Sequence, residues 1–314
     1  MPERPALALT VAERLIAPRI RRIVELESAA ASRPGAVLAS ALSPERLDIM
    51  AEVLALGGRA RPPGFPRALP SLLSSVKGIF ESLVSLGDNP AGPAVEAPQD
   101  FFAVLEQRAR RWGVSAIGYA RLPRELVFKG KGVLHPNAVV LAMAMDRKRL
   151  ARAPSPDTAV MVHQTYARLG RAANALARFL RRHGYSAQAC HPLGGQVLYP
   201  PLGWLAGLGH RGPAGLLVTP YHGPGVRLAA VFTSIENLPL GRGGDPERVE
   251  RVGEFCSKCG LCIDKCPVGA VKRKPTPGPG GADLVTCIEK DKCLPYFAEN
   301  HGCSVCISVC PLGR

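Results

Sequence analysis

The sequence predicts an α/β domain followed by a small C-terminal domain that is organised by metal-binding cysteines. From about residue 99, apolar segments of strand length such as "VSAIGYARL" and "AVVLAMAMD" alternate with the helical segment "YARLGRAANALARFLRRHGY". Nine of the ten cysteines lie beyond residue 255, in two closely spaced groups. Together with a proline-rich N-terminal stretch, these features divide the chain into residues 1–98, 99–250 and 251–314.

The first cysteine group, "CSKCGLCIDKCP", has the spacing C-x2-C-x2-C-x3-C-P, which wraps a cubane [4Fe–4S] cluster. The second group begins at Cys293 and also closes with Cys-Pro. In two-cluster ferredoxins the last cysteine of each run ligates the other cluster. We therefore expect a ferredoxin-like domain with two [4Fe–4S] clusters. The expected ligands are Cys256, Cys259, Cys262 and Cys310 for one cluster and Cys266, Cys293, Cys303 and Cys306 for the other.

Two cysteines fall outside this set, and zinc is the alternative metal. Cys-x2-Cys pairs also bind zinc, but two groups that both end in x3-Cys-Pro favour iron–sulfur clusters. Cys287 and Cys293 both precede the second group, and we prefer Cys293 because it leads directly into "LPYFAENHGCSVC". Cys287 is the reserve ligand or a small apolar residue, and the distant Cys190 is expected to pack in the core.

Composition indicates the compartment of the protein and the kinds of partner it could bind. Cysteines used as thiolates point to a reducing compartment. No apolar run is long enough to cross a membrane and no export signal is evident, so we expect a cytoplasmic protein. The formal net charge is +15, and residues 101–200 hold 16 Lys and Arg against four Asp and Glu. Such a surplus suits nucleic acid, an acidic electron donor or an anionic cofactor, or it is ordinary solvated helix surface.

The local pattern predicts further elements. Residues 1–98 form an accessory helical region in which an amphipathic helix at 71–88 docks onto the main domain. Its expected apolar stripe consists of Leu72, Val76, Ile79, Phe80 and Leu83. We expect Gly184 to end the long helix, strands at "GLLVTPYHG" and "RLAAVFTSI", and a loop at "KRKPTPGPGG". The glycine-rich "LAGLGHRGPAG" (205–215) lacks the strand–turn–helix context of a dinucleotide fingerprint.

Several segments in one order carry a family resemblance: "HPNAVVLAMAMD", the long helix, "YPPLGWLAGLGHRGPAGLLVTPYHGPGVRLAAVFTS" and "FCSKCGLCIDKCP". Over roughly residues 99–314 the chain resembles the catalytic core of corrinoid-dependent reductive dehalogenases and, more distantly, epoxyqueuosine reductases. The resemblance implies a nitroreductase-like domain that holds cobalamin base-off without a protein axial ligand. The absence of D-x-H-x-x-G, the histidine-supplying motif of other corrinoid domains, agrees. The expected corrinoid contacts are Gly207, Leu208, Gly209, Gly212 and Gly215.

The resemblance also implies two catalytic residues. Tyr166 stands where the family's proton-donating tyrosine opens a helix, and Arg227 in "GPGVR" matches the anion-stabilising arginine. There are departures from the family. "CHPLGG" stands where the family has an asparagine, and "GLGELGR" has become "GLGHRGP". These changes leave the cofactor better supported than a halogenated substrate.

The predicted function is reductive dehalogenation of a small organohalide, with electrons from an external donor such as ferredoxin or flavodoxin. One alternative is an epoxyqueuosine-type reductase acting on tRNA. The basic region suits RNA phosphates, but no Asp or Glu occurs between Asp157 and Ile235 to act as that family's acidic proton donor. The other alternative is a non-catalytic iron–sulfur electron-transfer or corrinoid-handling protein.

Overall fold

The computed structural model describes residues 21–47, 67–278 and 281–313. After a helical segment at 21–31, the helices are α1 Leu69–Val84, α2 Gln99–Arg111, α3 Arg147–Leu150, α4 Pro156–Arg182, α5 Tyr199–Leu205, α6 Pro246–Cys259, α7 Leu261–Asp264, α8 Lys290–Glu299 and α9 Val305–Ser308. The strands are β1 Val37–Leu38, β2 Ala116–Arg121, β3 Gly132–Val133, β4 Asn137–Ala144, β5 Ala187–Cys190, β6 His210–Arg211, β7 Leu217–Val218, β8 Val226–Thr233, β9 Val271–Gly278 and β10 Gly281–Ile288.

A four-stranded antiparallel sheet in the order β2-β4-β8-β5 is the centre of the main domain. Successive side chains of a strand point to opposite faces, and both faces of β4 are buried. Val139, Leu141 and Met143 join α2 and α4 in one core, whereas Val140 and Ala142 face α5 in the other. The mixed α/β expectation is confirmed, with helical segments on both sides of the sheet.

The long helix α4 begins ten residues before its expected start. Ser155 accepts a hydrogen bond from the Thr158 backbone N–H at 3.1 Å, and Pro156 occupies the first helical position. Ser followed by Pro is a strong helix start signal. The expectation that Tyr166 opens this helix is therefore wrong, whereas the end at Gly184, with φ of +84°, is as predicted.

Helix α1 packs against α4, and of its expected apolar stripe only Leu83 is fully buried. The buried positions of α1 are Ser75, Gly78, Ser82 and Leu83, and Phe80 is 39% exposed. The Asn174 side-chain amide on α4 donates to the Gly78 carbonyl at 2.9 Å. Small residues let the two helix backbones approach closely, so they lie at the contact in place of larger apolar side chains.

The buried carboxylate of Glu27 ties the N-terminal segment to the main domain. Arg46 Nη1 lies 3.1 Å from Glu27 Oε1, and Lys131 pairs with the other oxygen. Gln196 Nε2 also donates to Glu27 Oε1, at 3.1 Å. A carboxylate this deeply buried is stable only when its charge is paired and hydrogen-bonded. The segment is thus an integral part of the fold.

The C-terminal part holds both cysteine groups on short helices around the β9–β10 hairpin. "KRKPTPG" belongs to β9, so the loop expected there is wrong. Only Leu217 and Val218 of "GLLVTPYHG" form a strand, because Gly223 closes a tight bridge to Thr219. Ile307 of α9 packs with Leu150 and Met161, which docks this part onto the main domain. Within the described ranges, no helix combines the length and apolarity that a bilayer crossing needs.

Candidate iron–sulfur and active site

The first group of thiols surrounds an apolar cavity at the end of α6. Gly260, with φ of +65°, ends α6 directly after Cys259 and starts α7, which carries Cys262. Cys256, Cys259, Cys262, Cys306 and Cys310 line the cavity. The pKa of Cys256 is raised to about 11, mainly by burial and in smaller part by the nearby thiols of Cys310, Cys262 and Cys259. The structure thus brings Cys310 to the first cysteine run.

The second group lies beside the first. The pKa of Cys306 is raised to about 12, mainly by burial and in smaller part by the nearby thiols of Cys303, Cys293, Cys262 and Cys266. Burial and the thiols of Cys303 and Cys266 raise the pKa of Cys293. Cys266 is therefore close to the later thiols, although it follows the first run in sequence. Cys306 also lines the cavity of the first group, so the two groups are adjacent and the crossed ligation of two clusters remains a prediction.

Cys266 has the surroundings of a thiolate. Burial acts to raise its pKa, but backbone N–H groups from Val268 to Val271 outweigh burial and lower it. The Ala270 N–H lies 3.2 Å from Cys266 Sγ. Such N–H donors stabilise negative charge on sulfur and tune the potential of an iron–sulfur cluster. The soft thiol donors, the apolar cavity and these N–H groups fit [4Fe–4S] clusters.

The two remaining cysteines lie elsewhere. Burial raises the pKa of Cys287, and the charged groups that oppose this rise are Arg211 and Lys272. A Cβ placed on Gly215 would lie 3.3 Å from Cys287 Cβ, so Cys287 packs on the glycine-rich segment. Cys190 is fully buried, and its Sγ lies 2.7 Å from Gln196 Oε1. Among the described residues, no group of three or more His, Cys, Asp and Glu side chains could hold a single metal ion.

Tyr166 and Arg227 meet between α4 and the start of β8. The guanidinium carbon of Arg227 lies 4.8 Å from the ring centroid of Tyr166, which is cation–π geometry. Both side chains are half-buried. Arg227 reaches this position because β8 pairs with β4, which places Arg227 opposite Met143. The two expected catalytic residues are therefore neighbours.

His163 joins this pair and was missed in the sequence. Its ring centroid lies 6.3 Å from that of Tyr166. Burial lowers the pKa of His163, and the charge of Arg227 lowers it further. The detectable signal was its position three residues before Tyr166, since residues three apart share one helix face.

Two buried nitrogens in this cluster have no hydrogen-bond partner among the described residues, Arg227 Nε and His163 Nδ1. Buried polar atoms in native proteins are nearly always hydrogen-bonded, so an orphaned donor indicates a ligand or water. This observation fits a bound acceptor group beside Tyr166.

The N-terminus of α4 is too far from Tyr166 to favour negative charge there. Tyr166 lies about 15 Å along α4 from its start at Pro156. The helix dipole acts only within the first and last turns. Arg227 is thus the group that favours negative charge at this site.

The glycine-rich segment packs against the protein itself. A Cβ on Gly207 would lie 2.4 Å from the Gly241 carbonyl oxygen, and one on Gly209 would lie 2.4 Å from that of Val218. A Cβ on Gly212 would lie 2.7 Å from Val218 Cγ2. Leu208 is 2% exposed within the core. Close backbone packing thus explains these glycines, and their contact with a corrinoid remains a prediction.

The same segment borders the first thiol group. Gly212, Pro213 and Ala214 line the cavity together with the cysteines. The thiols of that group therefore lie directly against the main domain.

The segment "CHPLGG", which stands where the family has an asparagine, contains the buried His191. Its imidazole is 3% exposed and wedged between two glycines. A Cβ on Gly170 would lie 1.9 Å from His191 Nε2, and one on Gly78 would lie 3.2 Å away. Burial lowers the pKa of His191 to about 4. This residue is part of the α1–α4 packing.

Comparison with known proteins agrees with this organisation. The 4Fe-4S binding domain family matches residues 251–272. The tetrachloroethene reductive dehalogenase of Desulfitobacterium hafniense is 30% identical over 209 residues, which is 63% of this chain and 36% of that protein. The enzyme of the same name from Sulfurospirillum multivorans is 32% identical over 186 residues, 57% of this chain and 36% of that protein. The chain is thus similar to reductive dehalogenases over about a third of their length.

The chain is also similar, over a shorter stretch, to epoxyqueuosine reductases, and it covers only part of the length of its relatives. An epoxyqueuosine reductase from Listeria monocytogenes is 29% identical over 119 residues, covering 35% of this chain and 28% of that protein. The chain spans 36% of the length of the dehalogenases it matches.

Solved structures confirm the fold. The catabolic reductive dehalogenase NpRdhA in complex with 3-bromo-4-hydroxybenzoic acid superposes with a TM-score of 0.70 at 20% identity, over 90% of this chain and 44% of that chain. A reductive dehalogenase structure described as suggesting a mechanism for B12-dependent dehalogenation gives a TM-score of 0.64 at 18% identity, over 90% of this chain and 43% of that chain.

Proposed function

We propose that this chain is a corrinoid- and iron–sulfur-dependent reductase that removes halide from a small organohalide. The observation that carries the proposal is the half-buried Tyr166–Arg227 pair, with its orphaned Arg227 Nε, in a homologue of reductive dehalogenases. The reaction consumes two electrons and one proton, replaces a carbon–halogen bond by a carbon–hydrogen bond, and releases halide.

The thiols would hold the electron-transfer centres. Cys256, Cys259, Cys262 and Cys310 line the cavity that borders the main domain, so their cluster would be the one nearer the substrate. The other four thiols would hold the second cluster beside it. When bound, a corrinoid supplies the low-valent cobalt that delivers electrons to the carbon–halogen bond.

Tyr166 and Arg227 would serve the substrate. The phenol of Tyr166 would donate the proton to the carbon that loses halide. Arg227 would stabilise the negative charge left on the phenolate, because its guanidinium lies over the ring. Arg227 Nε would donate a hydrogen bond to a substrate or cofactor acceptor.

The electrons would come from an external donor such as ferredoxin or flavodoxin, in a reducing cytoplasm. Exposed cations lie next to Cys266 in sequence and on the following strand, namely Lys265, Arg273 and Lys274. Arg273 pairs with Asp264 at 2.6 Å. Cations near the second cluster would attract an acidic donor and speed its encounter.

The test is anaerobic reconstitution with iron, sulfide and cobalamin. We expect about eight irons and one cobalt per chain, a corrinoid absorption spectrum, and halide release from a chlorinated or brominated phenol or alkene in the presence of reduced methyl viologen. Bound iron without bound cobalt would contradict the corrinoid assignment. If cobalt binds but neither a halogenated phenol nor a halogenated alkene releases halide, the proposal that the substrate is an organohalide is contradicted.

Epoxyqueuosine reduction is the second candidate, and the Listeria relative is the observation that favours it. The segment from Thr158 to Ser234 contains no Asp or Glu, so a tRNA reductase of this kind would have to use Tyr166 as the acid. Conversion of epoxyqueuosine in a tRNA anticodon stem-loop by the reconstituted protein, without halide release in the parallel assay, would support this candidate over the first. A third candidate, an electron-transfer or corrinoid-handling protein, predicts bound clusters and no turnover of either substrate.

A further inference from the structure

A second cavity lies on another side of α4, away from Tyr166. Its walls come from the first turns of α1, from α4, and from the turn between β4 and α3. The α4 residues that line it include Met161, Gln164, Thr165 and Arg168. These positions are three and four residues apart and therefore share one helix face. Neither Tyr166 nor His163 is among the lining residues.

The cavity has the size of a small-molecule site and a polar lining. Its volume is about 440 Å³, within the range that ligand pockets occupy. Its lining residues include three arginines, Arg149, Arg168 and Arg171, and two serines, Ser71 and Ser74. Part of the basic surplus of residues 101–200 is thus gathered around one recess.

Two of these cations are not neutralised by a carboxylate. Arg171 Nη1 donates to the hydroxyl of Ser74 at 2.9 Å, which leaves its charge uncompensated. Within residues 21–47, 67–278 and 281–313, neither Arg168 nor Arg171 forms an ion pair.

The third cation is held in place by its neighbours. Arg149 pairs with Asp157 at 2.8 Å and donates to Gln164 Oε1 at 2.7 Å. The carboxylate on the cavity wall, Asp146, accepts a hydrogen bond from the Arg149 backbone N–H at 2.9 Å and caps α3. The local balance with Arg168 and Arg171 therefore remains positive.

We propose that this cavity binds a small molecule through an oxyanion group, phosphate or carboxylate. Guanidinium groups present planar forks of N–H donors that suit both groups. Arg168 and Arg171 would hold the anion, and the Ser71 hydroxyl would donate to it. The recess lies between two helices and has the volume of a small ligand, which favours a small molecule over the extended backbone of RNA. The proposal is independent of the dehalogenase activity.

The site would give the N-terminal region a binding role. Ser71 and Ser74 belong to α1, and Arg168 and Arg171 belong to α4. A bound anion would therefore bridge α1 and the main domain. Ligand that binds only the folded protein also raises its stability.

The experiment titrates the cluster-loaded protein of residues 1–314 with inorganic phosphate and, separately, with acetate by calorimetry. We expect at least one of the two anions to bind. Binding of phosphate or of acetate shows whether the ligand carries a phosphate or a carboxylate group. In the Arg168→Gln/Arg171→Gln double variant we expect binding to weaken by about tenfold or more, because two charge-assisted hydrogen bonds are lost. The matched control is Arg182→Gln, an exposed arginine at the end of the same helix. It should bind as the parent does.

Three outcomes would overturn the proposal: no binding of either anion at millimolar concentration, equal binding by the double variant, or equal weakening in Arg182→Gln. Arg168→Lys keeps the charge and should retain part of the affinity, which separates anion binding from a folding defect. A single-stranded RNA oligonucleotide that binds and loses affinity in the double variant, while phosphate and acetate do not bind, would also overturn the small-molecule proposal and assign the surface to nucleic acid.

Discussion

The main domain, here called the sheet domain (residues 99–250), and the C-terminal part with the cysteines, here called the thiol domain (residues 251–313), are stabilised in different ways. In the sheet domain, central side chains such as Val139, Leu141 and Leu176 are 0% exposed and belong to one continuous core. After residue 250, the buried apolar side chains among the described residues are Val252, Ala270, Val271, Leu284, Leu294, Ala298 and Ile307. A region that buries so little apolar surface generally depends on disulfides or metal for its fold. We infer that iron–sulfur clusters would act as the core of the thiol domain.

Removal of iron should therefore have the largest effect, and it should be confined to one region. After anaerobic chelation we expect residues 252–310 to lose amide hydrogen-exchange protection while β4 and β8 keep theirs. Exchange measured by mass spectrometry checks this expectation. Full protection of α6, α8 and α9 in the iron-free protein would mean that side-chain packing is sufficient there.

Single thiol substitutions sharpen the same comparison. Because Cys266 lies with the later thiols, Cys266→Ala should lose the cluster held by Cys293, Cys303 and Cys306, leaving about four of about eight irons. Cys287→Ala is the matched control and should keep all the iron. Loss of iron in Cys287→Ala, or loss confined to the Cys256–Cys262 cluster in Cys266→Ala, would contradict the crossed arrangement.

A substitution in the core of the sheet domain should destabilise that domain and leave the iron content unchanged. Leu176 is fully buried between α4 and the sheet, so Leu176→Ala should lower the free energy of unfolding of the main domain by about 2–5 kcal/mol. Iron content at 25 °C should not change. Urea unfolding gives the free energy, and Leu73→Ala on the exposed side of α1 is the control, with a change below about 1 kcal/mol. A loss of iron that parallels the loss of stability would show that the two regions unfold together.

Buried histidine makes the α1–α4 contact sensitive to pH. His191 has a folded-state pKa of about 4, below its ordinary value of 6.5, so the folded protein binds fewer protons than the unfolded chain between these values. Stability from this group is complete above about pH 6.5 and falls as the pH drops towards 4, by about 2–4 kcal/mol in total. The His191→Gln variant should lose this dependence.

The measurement compares urea midpoints at pH 7 and pH 5 for the parent, His191→Gln and the exposed control His183→Gln. Acid damage to the clusters is common to all three proteins, so the difference between variants isolates His191. An equal pH dependence in the parent and His191→Gln would show that other groups cause it.

Features that depend on local spacing were readable from the sequence, and features that depend on assembly were not. The cysteine spacing predicted two groups of four thiols, and the apolar segments predicted β2, β4 and β8. The burial of Gly78 in the α1–α4 contact could not be predicted, because it depends on His191 from a distant segment filling the space between two helices. The start of α4 was a different kind of error, since Ser155-Pro156 was a visible helix start signal.

The cluster of Tyr166, Arg227 and His163 shows both what the sequence reveals and what it does not. Tyr166 and Arg227 were named from a resemblance, and their contact follows from the register of β8 on β4, which no local pattern encodes. The glycines of 205–215 are an intermediate case. Their abundance was visible, but their packing against Gly241 and Val218 depends on the folded backbone.

The smallest expected effect on stability belongs to Tyr166→Phe, which makes it the cleanest test of chemistry. The ring and its contact with Arg227 are kept, so the free energy of unfolding should change by less than about 1 kcal/mol. Both cofactors should remain bound. Loss of the phenol proton should nevertheless lower the rate of halide release by about 10²–10⁴-fold, the usual contribution of a positioned general acid. Tyr221→Phe, at a 60% exposed position, is the control and should retain the parent rate. If Tyr166→Phe keeps most of the activity, the proton comes from another group, and His163, the third member of the cluster, is the next residue to replace.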